Sequence, residues 1–283
     1  MITIQNLAFS YPRKKLFSGL DLELSAGGIC GLLGKNGAGK TTLLKLLAGL
    51  AFPHHGDILV AGHRPGRRSP ALLQDLFLVP EEFSLPAISP LKYQQLFAPF
   101  YPHFSADSFA AHLDEFELDA RTNMRQCSFG QRKKCFLAFA LAASCRLTLL
   151  DEPTNGLDIP SKSQFRRALA SVFTDDRLFI IATHQVRDLE SIIDPVVILD
   201  AGRIIFNRTT AEIDRGLEAV LQAAPPSPET TLYSEKTLEG YRVVRENVTG
   251  TETRMDLELL FNTVIQNHEK VATLFKRRSA HAS

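Results

Sequence analysis

The run Gly34-Lys35-Asn36-Gly37-Ala38-Gly39-Lys40-Thr41 has the spacing G-x-x-x-x-G-K-[ST]. Its glycines let the backbone wrap with amides pointing inward, where they donate to phosphate oxygens. Lys40 would reach the β- and γ-phosphates of a nucleoside triphosphate, and the Thr41 hydroxyl would bind Mg²⁺. Gly34, Asn36, Gly37, Ala38, Gly39 and Thr42 complete the phosphate-facing set. Far along the chain, Leu147-Thr148-Leu149-Leu150 ends in two carboxylates, Asp151 and Glu152. Two acids after a strand are by themselves a common surface turn. Beside a phosphate loop they acquire tasks: Asp151 as a magnesium ligand and Glu152 as general base for an attacking water.

For this chemistry the fold must carry residue 151 to residue 40. Ile2 and Ile4, then Leu20, Leu22 and Leu24, alternate with polar residues as half-buried strands do. The apolar residues 29–33 enter the phosphate loop, and Leu43, Leu44, Leu46 and Leu47 follow at helical spacing. Further short apolar runs at 58–61, 76–79, 147–150, 179–182 and 196–199 alternate with helical stretches. This pattern predicts an α/β domain with a mainly parallel sheet, whose strand carboxyl ends meet where a ligand sits. A stretch at about 83–135, rich in Phe, Ala and Leu, breaks the rhythm and reads as a helical subdomain. Asp200-Ala201-Gly202-Arg203 reads as a turn between two strands. The Pro-rich residues 222–229 read as a linker that closes a domain at 1–221 and opens an extension at 230–283. In the extension, Leu257, Leu260, Phe261 and Val264 form one helical stripe, and the basic end Lys276-Arg277-Arg278 reads as a solvated tail.

The 283 residues are 45% hydrophobic and 22% charged with a net charge of +1, which gives no overall drive toward nucleic acid or anionic membrane. Cys30, Cys127, Cys135 and Cys145 have no metal-ligand spacing and fit reduced, cytosolic thiols. No stretch reaches the roughly 18 apolar residues of a membrane helix, and Met1 is followed by a strand pattern with no secretory character.

The run before Asp151 narrows the class. Cys127-Ser128-Phe129-Gly130-Gln131-Arg132 resembles the L-S-G-G-Q signature of ATP-binding-cassette (ABC) ATPases. Pro153-Thr154-Asn155-Gly156-Leu157-Asp158 resembles their D-loop, Thr183-His184 their switch histidine, and Tyr11 the aromatic residue that stacks on adenine. The resemblance covers the chain to about residue 215. It implies a P-loop ATPase with an N-terminal antiparallel β subdomain, a helical signature subdomain and a small C-terminal extension. It also implies head-to-tail dimers, a homodimer being the simpler form, with each ATP between one phosphate loop and the other signature. Ser128, Gly130 and Gln131 would act in trans, His184 would hold the γ-phosphate and water, and Asp158 would link the two sites.

Two positions depart from the family pattern. Phe129 replaces a signature glycine, and Glu81 stands where the family keeps a glutamine that contacts Mg²⁺. The resemblance implies the ATPase subunit of a transporter, with slow turnover expected from these two changes, on the cytoplasmic membrane face beside a separate permease, with export favoured. A soluble ABC ATPase acting on ribosomes or DNA and a nucleotide-binding regulator with little turnover are the alternatives. A single cassette without sustained heptads speaks against the former, so no nucleic acid is expected.

Overall fold

The computed structural model describes residues 1–12, 14–248, 250 and 253–281. In chain order its elements are β1 (Ile2–Tyr11), β2 (Lys14–Leu24), β3 (Gly28–Leu33), α1 (Lys40–Leu47), β4 (His55–Val60), α2 (Pro70–Leu73) and β5 (Leu76–Val79). Then come α3 (Pro90–Phe97), α4 (Ala106–Glu115), α5 (Phe129–Ala142), β6 (Leu147–Asp151), α6 (Ile159–Ser171), β7 (Leu178–Thr183), β8 (Val196–Asp200) and β9 (Arg203–Arg208). The chain closes with α7 (Thr210–Gly216), β10 (Leu217–Gln222), β11 (Thr231–Thr237), β12 (Gly240–Glu246) and α8 (Leu257–His281).

The central sheet has the order β5-β6-β7-β3-β8-β9, parallel except for the β8–β9 pair. Its inner strands are buried on both faces, so their side chains alternate between two cores. Cys30, Leu32, Leu149, Ile180 and Val197 face α1 and the antiparallel sheet β2-β1-β4. Ile29, Leu33, Leu150, Ile181 and Ile198 face the core shared with α4, α5 and α6. Truncating one such leucine to alanine costs about 2–5 kcal/mol, because the close-packed surroundings relax only in part. The run at 58–61, expected within the parallel alternation, instead lies at β4, whose Ile58 pairs with Ile4 of β1 in the antiparallel sheet. Its half-buried alternation fits that edge position.

The stretch expected as an interdomain linker has a different place. β10 joins β12 and β11 in a separate antiparallel sheet, with Leu217 opposite Glu246 and Gln222 opposite Tyr241. Residues 223–230 therefore connect two strands of one sheet, and the C-terminal unit begins at Leu217. The basic end is also no loose tail. It belongs to α8, where Arg277 and Arg278 pair with Glu246. This helix bends at Asn267, whose Nδ2 donates to Leu232 O at 2.7 Å. At its start, Leu257 N donates to Glu190 Oε1 at 3.1 Å, and Arg187 pairs with Glu258. The extension is thus anchored on the segment just beyond His184. Residues 282 and 283, the last of the expected extension, lie outside the described residues.

Candidate functional site

The phosphate loop joins β3 to α1, and two glycines shape it. A Cβ at Gly34 would lie 2.5 Å from Leu199 O. Gly39 has φ +113°, and a Cβ there would lie 2.8 Å from the Phe17 ring. Only glycine allows both the turn and this close packing. Lys40 begins α1, and its Nζ donates to Gly34 O at 2.7 Å. Burial lowers the Lys40 pKa, while the charges of Glu152, Asp151 and Glu81 oppose that shift.

A cleft of ≈ 440 Å³ opens over the loop. It is lined by Tyr11, Asn36, Gly37, Gly39, Lys40, Thr41, Thr42, Glu81, Asp151, Glu152 and His184, so most of the predicted residues converge there. Lys14 and Leu16, which belong to no motif, also line it, as does Lys35 at a variable position of the phosphate-loop motif. The Tyr11 hydroxyl lies 3.1 Å from Thr42 Oγ1. Gly34 and Ala38 are parts of the loop that do not line the cleft.

Asp151 ends β6, two strands from β3, and is buried. Burial raises its pKa, and a hydrogen bond with Thr41 opposes the rise. Its Oδ1 is buried with no hydrogen-bond partner. Such an orphaned carboxylate oxygen beside a threonine hydroxyl suits a hard cation. Among the described residues no three His, Cys, Asp or Glu side chains form a metal cage. The Asp151 carboxylate and the Thr41 hydroxyl are oxygen donors of the kind that fit Mg²⁺ when phosphate and water oxygens complete its shell.

Glu152 follows with φ +47°, a left-handed backbone. Thr183 Oγ1 donates to its Oε2 at 3.0 Å, and His184 Nδ1 lies 2.7 Å from its Oε1. Glu81 does not turn wholly to the cleft: its Oε1 accepts from Asn155 Nδ2 at 3.0 Å, and Asn155 Oδ1 accepts from Gln185 at 2.9 Å.

The remaining predicted residues lie outside the cleft. Ser128 caps α5, accepting from Gln131 N at 3.2 Å while Gln131 Oε1 accepts from Ser128 N at 2.9 Å. This reciprocal pair is a capping box. A Cβ at Gly130 would lie 3.1 Å from Gly156 O. Phe129 is 45% exposed, with its ring 5.5 Å from that of Phe83. Asp158 caps α6 through Ser161 N at 3.0 Å, and bonds with Ser161 lower its pKa. Sequence reasoning missed Lys133 of α5, a lysine with 0% exposure whose pKa burial pushes down to about 8, against the charges of Glu81, Glu152 and Asp151.

Residues 17–155 match the family model described as ABC transporter. The daunorubicin resistance ATP-binding protein DrrA3 of Streptomyces coeruleorubidus is 32% identical over 75% of this chain and 69% of its own. This chain belongs to the ABC transporter family as an ATP-binding subunit. The linearmycin resistance ATP-binding protein LnrL of Bacillus subtilis (strain 168) is 26% identical over 99% of the ABC subunit and 91% of its own length, so that alignment takes in the C-terminal unit. A solved ATP-binding subunit of an ABC transporter shares the fold, with a TM-score of 0.68 at 24% identity over 76% of this ABC subunit and 92% of that chain. No helix among its described residues is long and apolar enough to cross a membrane.

Proposed function

We propose that this subunit hydrolyses Mg-ATP as a homodimer with two composite sites and drives a separate membrane permease in export. The observation that carries the reading is the convergence of the phosphate loop, Asp151, Glu152 and His184 on one cleft. Loop amides and Lys40 bind the triphosphate, and Tyr11 stacks on the base. Thr41 and Asp151, with Glu81 adjacent, would hold Mg²⁺, which neutralises charge as the γ-phosphate departs. Glu152 accepts the proton of the attacking water, and His184 keeps its carboxylate and the γ-phosphate aligned.

Ser128 and the Gly130 amide, at the positive N-terminus of α5, cap the partner's γ-phosphate. The exposed Phe129 and Ile159, beside the signature and the D-loop, suit a face that a second cassette covers. A groove lined by Leu50, Leu73, Leu78, Phe100 and Tyr101 suits a permease helix held at the cytoplasmic membrane face, since Phe100 and Leu50 remain 64% and 54% exposed. The relatives include Nod factor and SkfA peptide export ATP-binding proteins, which support export, beside a ribose import ATP-binding protein.

The test is ATP turnover by the purified chain beside Glu152→Gln, with oligomeric state followed with and without Mg-ATP. Turnover by the natural chain, with the variant binding ATP, stalling and dimerising, supports the reading. No turnover and no dimer would favour a nucleotide-binding regulator, a second reading suggested by Phe129 in the signature and by Glu81 bonded to Asn155.

A further inference from the structure

A fully buried lysine leaves its hydration behind, so the protein must supply the partners. Lys133 sits about one helical turn beyond Ser128 in α5, and its Nζ donates to two main-chain carbonyls, Glu152 O at 2.6 Å and Asn155 O at 2.9 Å. Its charge also faces the carboxylates of Glu81, Glu152 and Asp151, and the Phe129 ring centre lies 6.0 Å away.

The two carbonyls bracket one tight turn, closed by Asn155 N donating to Glu152 O at 3.2 Å. The left-handed backbone of Glu152 is a conformation that a non-glycine residue keeps only when its surroundings fix it. One restraint is Glu152 N donating to Ala182 O at 2.8 Å. The ammonium of Lys133 is another, reaching the same residue from the signature helix. The Asn155 end of the turn also carries the side chain that meets Glu81 and Gln185.

We propose that Lys133 is a positioning residue: it fixes the Glu152–Asn155 turn from below and ties the signature helix rigidly to the residue that activates water. The proposal rests on the catalytic role assigned above to Glu152. A lysine that only fills the core would affect stability alone. A lysine that sets the turn affects the rate of reaction at saturating nucleotide.

Lys133→Met keeps the stem and removes the donors, whereas Lys133→Gln keeps an NH₂ that can reach a carbonyl. With Mg-ATP hydrolysis and binding of a fluorescent ATP analogue measured on the full chain, the Met variant is expected to lose about 10- to 100-fold in kcat, the effect of removing a charged hydrogen bond. Its nucleotide affinity is expected to stay within about threefold of the natural chain, well under the tenfold that 1.4 kcal/mol represents, and the Gln variant should recover part of the rate. Natural kcat in a folded Met variant, or binding lost in step with kcat in both variants, would overturn the proposal.

Backbone hydrogen exchange of the nucleotide-free chain supplies a readout independent of turnover. Amides 153–157 should exchange faster in the Met variant, or in the Gln variant if Met fails to fold, while α1 is unchanged. Equal protection would sink the proposal. A natural chain without ATPase activity would refute the role given to Glu152, and the exchange measurement would still decide whether Lys133 sets the turn.

Discussion

The imidazole Nδ1 of His184 lies 2.7 Å from Oε1 of Glu152, and the neighbouring Thr183 hydroxyl holds the other carboxylate oxygen at 3.0 Å. Both partners come from the end of β7, which lies between the strand of the phosphate loop and the strand of Asp151. The sheet order therefore aims the carboxylate of Glu152 by contacts from an adjacent strand.

Thr183→Val keeps the shape of the side chain and deletes the bond to Oε2. A hydrogen bond to a charged group contributes about 1.5–3 kcal/mol, so kcat should fall about 10-fold or more. Equilibrium binding of ATP should change little. Steady-state kinetics with a separate binding titration checks both, and an unchanged kcat would remove Thr183 from the site.

Gly39→Ala should cripple the phosphate loop. The new methyl would meet the buried Phe17 ring at 2.8 Å on a backbone with φ +113°. A fall in ATP affinity of about 10-fold or more is expected, together with a lower Tm, since strained substitutions of this kind cost about 1–3 kcal/mol. Isothermal titration and a melting curve test it.

Cysteine labelling should report dimer closure. Burial pushes the thiols of Cys30, Cys135 and Cys145 up to about 12, so they stay unreactive at neutral pH. Cys127 is half-buried next to Ser128 and should take a maleimide alone in the native chain. In Glu152→Gln with Mg-ATP, the second cassette should slow that reaction. Labelling at the same rate with and without nucleotide would argue against the composite site.

His112 makes stability depend on pH. It is buried, its Nε2 lies 3.1 Å from Ser108 Oγ, and burial lowers its pKa while Glu115 opposes the shift. Above the unfolded value of 6.5 both states hold it neutral. As pH falls through that value the unfolded chain takes up a proton that the folded chain refuses, so stability drops until the lower folded value is reached. His112→Phe should flatten this part of the curve of urea midpoint against pH, and an unaltered slope would count against it.

How much of this could be read from sequence differs from place to place. The phosphate loop and the Asp151-Glu152 pair are contiguous runs whose spacing carries their geometry, and strand alternation brings them to one end of the sheet. Lys133 is hidden because Arg132-Lys133-Lys134 looks like a solvated basic patch; only the packing of α5 beneath the D-loop removes the middle residue from water. The Pro-rich stretch after Gln222 misleads for another reason. Prolines that loosen a linker equally stop one strand before its neighbour begins, and pairing in register with β12 is a long-range fact. The role of Phe129 stays local in sequence, yet its contacts with Phe83 and Gly156 join three segments far apart in the chain.

The pairing of β10 with β12 also fixes where the chain can be shortened. A cut within 223–230, the place its composition invites, would keep β10 and discard both strands of its sheet. The remnant would present a row of unpaired amides and carbonyls together with the uncovered Leu217, a template for aggregation. A cut just after Gly216 removes the sheet whole, but it also uncovers the segment beyond His184 on which α8 rests. The extension is therefore separable in its hydrogen-bond ladder and inseparable in its packing, so a shortened protein would test its influence on His184 rather than deliver a neutral minimal cassette.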